Sequence, residues 1–250
     1  MKKNYWKVVD EIIRQSDLVL NILDSRFYNE TRNEVIEKKL RDYRKKFIFV
    51  LNKSDTVSKN DLKKAFKGLR NASAVIAIST RERHGKLKLL RTITYLIKKR
   101  PIIIGVVGYP NTGKSSVINY LAGRKKARTS PEAGFTKGKQ WINLSRNIRL
   151  IDTPGVIPSK EKSKMELALK SAVTRVEDAE ETAAEIIRII IRKRKFNTLK
   201  KRYGIKESIN PSIILEMIAK SKNKLKKKGE LDLDGAAKMV IHDWQKGKLK

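Results

Sequence analysis

The stretch Gly108-Tyr109-Pro110-Asn111-Thr112-Gly113-Lys114-Ser115 fits the pattern G-x-x-x-x-G-K-[ST]. Residues of these types at this spacing hold phosphate. Glycines let successive backbone N–H groups curl around phosphate oxygens, and a helix opening directly after the loop adds its partial positive charge. Lys114 is expected to reach the β- and γ-phosphates of a nucleotide. The Ser115 hydroxyl is expected to ligate Mg²⁺, with Ser116 following it in the helix. The context agrees, because an apolar run precedes the loop and the helical stretch Ser116-Val117-Ile118-Asn119-Tyr120-Leu121 follows it. Downstream, Asp152-Thr153-Pro154-Gly155 ends another apolar run. An aspartate there can hold a magnesium-bound water, and the Gly155 N–H can sense a γ-phosphate.

Upstream of the phosphate loop stands Asn52-Lys53-Ser54-Asp55. Guanine offers N1–H and N2–H₂ donors beside its O6 acceptor. A carboxylate in the base plane accepts from both donors, and adenine lacks that pair. Asp55 suits this role. Asn52 is expected either to touch the base or to brace the loop, and the Lys53 stem to cover the face of the base. Ile78-Ser79-Thr80 ends the next apolar run and would bring a backbone N–H near O6. Together with the phosphate loop, this motif decides for GTP and GDP over ATP.

These motifs need a scaffold that lines them up. Residues 17–24, 46–52, 74–79 and 101–108 are apolar without alternation, as expected for strands of a parallel sheet covered on both faces. Helical patterns over 31–44, 60–69 (with Asn60 or Asp61 as cap) and 86–99 lie between them. Trp141–Leu144 and Ile148–Asp152 read as a hairpin extending the same sheet. The expected fold is α/β, a doubly wound and mostly parallel sheet over residues 1–160. From 161 to 250 the texture is helical: 163–195, a short helix from Ser212 to Ala219 opened by Pro211, and a last helix through Ala236 to Gln245.

Composition narrows the class. The chain has 250 residues, 40% of them hydrophobic, which suffices for one nucleotide-binding domain and a smaller appendage. With no cysteine there is no disulfide and no thiolate metal site, and two histidines, His84 and His242, make a histidine-based zinc site a poor reading. The N-terminal residues do not resemble a signal peptide and no apolar run reaches membrane-spanning length, so the expected address is the cytoplasm, without a membrane partner. The formal charge is +33, from 59 Lys and Arg against 26 Asp and Glu. That imbalance exceeds what a lysine-rich surface alone explains and favours a nucleic-acid partner. Residues 192–228 carry 14 basic side chains against two Glu. Within them Arg192, Lys193, Arg194, Lys195, Lys224, Lys226, Lys227 and Lys228 are the candidate RNA contacts, with a solvated helix face as the plainer alternative. Tyr203 and Trp244 are expected to pack between helices rather than stack on bases.

The order of these motifs, with the base-reading element ahead of the phosphate loop, resembles the circularly permuted GTPases of the YlqF/YawG group, which includes RbgA-like ribosome-assembly factors. Leu23-Asp24-Ser25-Arg26 with Thr31-Arg32-Asn33 is similar to the D-A-R and T-R-N signatures of that family. The segments Gly229–Ala237 and Gly247–Leu249 resemble its C-terminal region. The likeness implies a Ras-like P-loop fold with a rearranged chain, a helical RNA-binding domain, and a role in maturing the large ribosomal subunit through rRNA and the subunit precursor. A GTPase acting elsewhere, in tRNA modification or signalling, and an RNA-binding protein with a vestigial nucleotide pocket are the alternatives. Bacterial relatives often carry Pro-Gly-His near the N-terminus; here Tyr5-Trp6-Lys7-Val8-Val9 stands instead.

The resemblance also bears on hydrolysis. Ras-like GTPases place a glutamine after D-x-x-G to orient the attacking water, whereas this chain has Val156. Intrinsic hydrolysis is therefore expected to be slow and to be stimulated by a ribosomal partner and by K⁺. Asn111 stands where some such proteins help to bind K⁺. Gly134-Phe135-Thr136-Lys137-Gly138 is the expected switch segment, with Thr136 as second protein ligand to Mg²⁺. Lys114, Thr136 and Gly155 are the residues expected to act in catalysis, and the protein to work as a monomer. Because the chain leaving D-x-x-G runs straight into the helical region, residues 156–165 are expected to carry nucleotide state to it.

Overall fold

The computed structural model describes residues 2–109, 111–123, 140–152, 178–192, 194–226 and 229–249. The chain divides into two compact units, Met1–Lys160 and Glu161–Lys250.

In the first unit six strands form one sheet: β1 (Leu18–Asp24), β2 (Lys46–Asn52), β3 (Ala74–Ala77), β4 (Ile102–Val107), β5 (Gln140–Ser145) and β6 (Ile148–Asp152). Their order is β3-β2-β1-β4-β6-β5. Every neighbouring pair is parallel except β5 with β6, the expected hairpin. The helices are α1 (Lys2–Gln15), α2 (Glu34–Asp42), α3 (Lys59–Gly68), α4 (Lys86–Leu96) and α5 (Lys114–Ala122).

Alternate side chains of each strand enter different cores. Leu20, Ile22, Val50 and Val106 pack with Leu89 and Ile93 of α4 and Val117 of α5. Val19, Leu23, Phe49 and Leu51 pack with Ile13 of α1, Ile36 and Leu40 of α2 and Ala65 of α3. Both faces are thus dry, which is why the strands read as continuous apolar runs. Each such side chain contributes about 1.5–3 kcal/mol on leaving water, so the core holds the strand ends in place.

Two local features differ from the expectations. The expected elements begin only at residue 17, yet α1 precedes them, with Val9, Ile12 and Ile13 on one face and fully buried. The cap of α3 is Ser58, whose Oγ accepts from Asp61 N at 3.1 Å, rather than Asn60 or Asp61. Asp61, three positions on, accepts from the Ser58 hydroxyl through Oδ2 at 2.8 Å.

The second unit contains α6 (Ala179–Arg192), α7 (Phe196–Tyr203), α8 (Pro211–Ser221) and α9 (Leu233–Gln245) among the described residues. Asn210 caps α8, with Pro211 in its first turn as expected. Helix α7 is short and lysine-rich, and only Leu199 and Tyr203 mark its buried face. Tyr203 is fully buried and Trp244 nearly so, which supports packing over base stacking. The buried Asp243 accepts from Arg202 Nε at 2.6 Å and pairs with Lys248 at 3.0 Å. Burial pushes this carboxyl up, but hydrogen bonds and charge from Arg202 and Lys248 win and hold it below the usual carboxylate range. Tyr203 is pushed well up by its burial and by Asp243 beside it.

Candidate functional site

The chain runs β1, β2, β3 in one direction across the sheet and then returns to place β4 on the other side of β1. In open α/β sheets, ligands bind beyond the carboxyl ends of the strands at such a switch point. The motifs lie there. Asp24 ends β1, Asn52 ends β2 with Lys53 directly after it, the phosphate loop follows β4, and Asp152 ends β6. Strand register pairs Asp24 with Asn52 and Asp152 with Val106.

Two segments far apart in sequence are joined directly. Asn52 Nδ2 donates to Thr112 O at 2.8 Å, and Lys53 Nζ donates to Asn111 O at 2.7 Å. Asn52 therefore braces the phosphate loop, the second of its two expected roles. Gly113 (φ 88°) lies so close to the Asn52 amide that a Cβ there would overlap it. Gly108 (φ 154°) sits over Ile22 O, which a Cβ would meet at 2.7 Å. Both glycines are required by geometry and by close approach.

The Lys53 ammonium also reaches Asp24 Oδ2 at 2.8 Å. Arg26 grips the same carboxylate with two bonds, Nε to Oδ1 at 2.9 Å and a terminal nitrogen to Oδ2 at 2.7 Å. Asp24 is almost wholly buried. Desolvation raises its pKa, yet the charges and hydrogen bonds of Arg26 and Lys53 outweigh that and hold it far below the ordinary range. Thr31 accepts from Asp24 N at 3.1 Å and donates to Phe27 O at 2.7 Å, closing the turn after β1. The D-S-R and T-R-N segments are thus more than signatures of resemblance. Their roles here are to fix Lys53 and, through Asn33, the phosphate loop: Asn33 Nδ2 donates to Tyr109 OH at 2.8 Å while its Oδ1 caps α2.

The side chains of Tyr109 and Thr112 are buried. Tyr109 is 6% exposed, and Thr112 Oγ1 donates to Tyr109 O at 2.8 Å. Lys114, at the start of α5, is buried and pairs with Asp152 Oδ1 at 2.5 Å. Ser115 and Ser116 are half-buried in the same first turn.

On the base-reading side, Ser79 Oγ donates to Asp55 Oδ1 at 2.7 Å and accepts from Glu82 N at 2.9 Å. Ser54 N donates to Ile78 O at 3.2 Å, and its hydroxyl lies 3.3 Å from His84 Nε2. Asp55 is thus oriented from a neighbouring loop, and Thr80 is half-buried beside Ser79. The exposed His84 also pairs with the Ser79 backbone.

Pro110, Thr136, Thr153, Pro154, Gly155, Val156, the switch segment 134–138 and the connection 156–165 lie outside the described residues, as do Lys193, Lys227 and Lys228. Of the remaining basic candidates, Arg192, Arg194, Lys195 and Lys226 are exposed and Lys224 is half-buried. Arg192 lies 3.5 Å from Glu185 and is partly neutralised by it.

The donor set suits Mg²⁺. A hydroxyl and a carboxylate are hard oxygen donors, and among the described residues no group of three or more His, Asp or Glu could hold a metal alone. Mg²⁺ bound through two protein groups, water and nucleotide phosphates has that requirement.

Joined base-reading and phosphate loops, on strands whose chain order is rotated, define a P-loop GTPase fold with circular permutation. Residues 103–220 match the family of 50S ribosome-binding GTPases. A GTP-binding protein of Methanocaldococcus jannaschii is 38% identical over 97% of this chain and 65% of its own length. Nuclear/nucleolar GTPase 2 of Oryza sativa is 36% identical over 99% of this chain and 47% of its own. GNP-bound YlqF from T. maritima superposes with a TM-score of 0.64 at 25% identity, covering 98% of this chain and 94% of that one. In its fold and in the rotated order of its motifs the chain is similar to circularly permuted GTP-binding proteins of the YlqF type. It spans 65% of the first of these sequence relatives and under half of the second.

Proposed function

We propose that this protein binds GTP and GDP at the joined loops, hydrolyses GTP slowly, and uses its basic helical unit to bind rRNA during assembly of the large ribosomal subunit in the cytoplasm. The observation that carries the nucleotide reading is the pair of bonds from Asn52 and Lys53 to the phosphate loop. They make base recognition and phosphate binding one site. Asp55, held by Ser79, reads the N1–H and N2–H₂ edge; Lys114 and the loop amides from Asn111 onward take the phosphates; Ser115, and Asp152 through water, hold Mg²⁺ with Thr136. Bound Mg²⁺ supplies neutralisation of charge on the phosphates. Lys114 then adds its own charge where negative charge develops, and the Gly155 N–H reports the γ-phosphate.

Slow turnover follows from Val156, whose side chain cannot orient water. Stimulation by K⁺ through Asn111 belongs to the same reading, and equal turnover in potassium and sodium buffers contradicts it. The assembly role is supported by the matched family and by the basic stretch from Arg192 to Lys228. A titration with labelled GTP, competed by guanine and adenine nucleotides, tests the site. Sedimentation with ribosomal subunits, with and without a GTP analogue, tests the partner. Equal competition by ATP defeats the first part, and no co-sedimentation in either state defeats the second.

A further inference from the structure

The basic stretch from Arg192 onward is not the molecule's only concentration of positive charge. Residues 81–100 contain eight Lys and Arg and one acid, Glu82. Their helix, α4, packs on the sheet through the fully buried Leu89 and Ile93. Its opposite face is open: Leu87 is 69% and Tyr95 74% exposed, with Lys88 and Arg91 exposed between them. Positions 87, 91 and 95 follow one another at helical spacing, and 88 lies beside them, so these side chains form one stripe. Lys98 Nζ lies 5.3 Å from the centre of the Tyr95 ring.

The state of these charges matters more than their number. Lys86 is taken up by Tyr120 O at 3.0 Å, and Lys99 by Asp17 at 3.1 Å. Among the described residues, no carboxylate lies within salt-bridge distance of Arg81, Arg83, Lys88, Arg91 or Lys98. Arg81 and Arg83 stand on the turn from Ser79 to Gly85, the same turn that orients Asp55.

Uncompensated cations flanking a single exposed aromatic ring suit a single-stranded nucleic acid, whose phosphates meet the cations while an unstacked base lies on the ring. They suit a membrane poorly. An interfacial helix needs a continuous apolar face, and here Arg91 interrupts the only two large apolar side chains on the outer stripe. We propose that the outer face of α4 with its flanking residues, from Arg81 to Lys98, is a second RNA-contact surface, in which Lys88 and Arg91 take backbone phosphates and Tyr95 stacks on an unpaired base. The surface belongs to the nucleotide-binding unit. It rests on the reading of the protein as an RNA binder.

The test uses the full chain and fluorescence anisotropy with a single-stranded uridine oligonucleotide, titrated across a range of salt. The variants are K88Q/R91Q, Y95A, Y95F and, for the other unit, R194Q/K195Q. None of these residues belongs to the nucleotide site, so GTP-analogue affinity reports intact folding. The K88Q/R91Q variant is expected to lower the slope of log affinity against log salt by about 1.4, two single-strand contacts at about 0.7 each. Y95A is expected to weaken binding about five- to hundred-fold, and Y95F to keep it. Unchanged affinity and slope in K88Q/R91Q and Y95A, with loss only in R194Q/K195Q, overturn the α4 surface and leave the rRNA reading standing. Absence of binding by the unaltered chain defeats both. Loss of binding to phosphatidylglycerol vesicles in K88Q/R91Q, with RNA binding intact, assigns the face to a membrane and overturns the proposal.

Discussion

Asp24 and Asp243 are both buried carboxylates held by one arginine and one lysine, yet they perform different work. In the helical unit, Arg202, Lys248 and the Tyr203 hydroxyl converge on Asp243, and all three belong to that same unit. In the nucleotide-binding unit, Arg26 locks Asp24, but Lys53 has a second bond, to Asn111 O of the phosphate loop. The same ion-pair chemistry therefore pins helices in one place and relays position between two functional loops in the other. A buried charge marks function only when one of its partners reaches onward to a site.

The largest effect is expected at Lys114. Removing its side chain in Lys114→Ala takes away the phosphate contact proposed for it and leaves Asp152 buried without its counter-ion. GTP affinity should fall by more than about a hundredfold, since charge-assisted contacts to phosphate are the strong ones. Unfolding free energy should fall by about 3–5 kcal/mol, the usual result of orphaning a buried charge. Calorimetric titration and urea unfolding read the two effects, and retained affinity removes Lys114 from the site.

The comparison itself is broken or sharpened by Asp24→Asn against Asp243→Asn. Each should lower stability by a few kcal/mol, about the cost of breaking a buried pair. Only Asp24→Asn should also weaken nucleotide binding, by about tenfold or 1.4 kcal/mol, because Lys53 loses its anchor beside Asn111. Equal affinity loss in both variants would show that the effect is general destabilisation. The third change, Asp55→Asn, replaces an acceptor with an amide that can donate. Preference for guanine over adenine nucleotides should fall about ten- to hundred-fold, the range for one charged hydrogen-bond set, and a base with an oxygen in place of the guanine amine should gain. Competition binding checks it.

Acid should act on both units in the same direction. The folded-state pKa values of Asp24 and Asp243 are depressed, so the unfolded chain takes up those protons first. Their stabilisation is complete above the unfolded carboxylate value, about 4, and is lost as pH falls below it through the folded values. Chemical unfolding between about pH 6 and 3 should therefore show falling stability, and Asp24→Asn should flatten that slope in the nucleotide-binding unit.

The core of this fold and much of the site are visible in the sequence for different physical reasons. Strands β1, β2 and β4 are legible because both faces of the sheet are dry, leaving unbroken runs such as Phe47–Leu51. Phosphate and base motifs are legible because their backbone geometry fixes residue type at fixed spacing, as at Gly113 and Lys114. Helix α1 was overlooked although Val9, Ile12 and Ile13 carry its period, since charged neighbours dilute the pattern. The Asp24–Lys53 link spans 29 residues and has no local signal. Nothing short of the paired register of β1 with β2 brings Asp24 beside Asn52.

Tyr109 shows the same limit at the smallest scale and gives the mildest prediction. The phosphate-loop pattern treats its position as any residue, so the sequence places it with the ligand contacts; the structure turns its ring into the core beside Val107 and gives its hydroxyl to Asn33. Tyr109→Phe keeps the ring packing and removes one neutral hydrogen bond, leaving the Asn33 Nδ2 donor unsatisfied. Stability should drop by about 1 kcal/mol. Nucleotide affinity should change less than about threefold, because the backbone that meets phosphate is still held by Asn52 and Thr112. A loss as large as that of Asp24→Asn would mean that Asn33, and not Lys53, is the main tether between the turn after β1 and the phosphate loop.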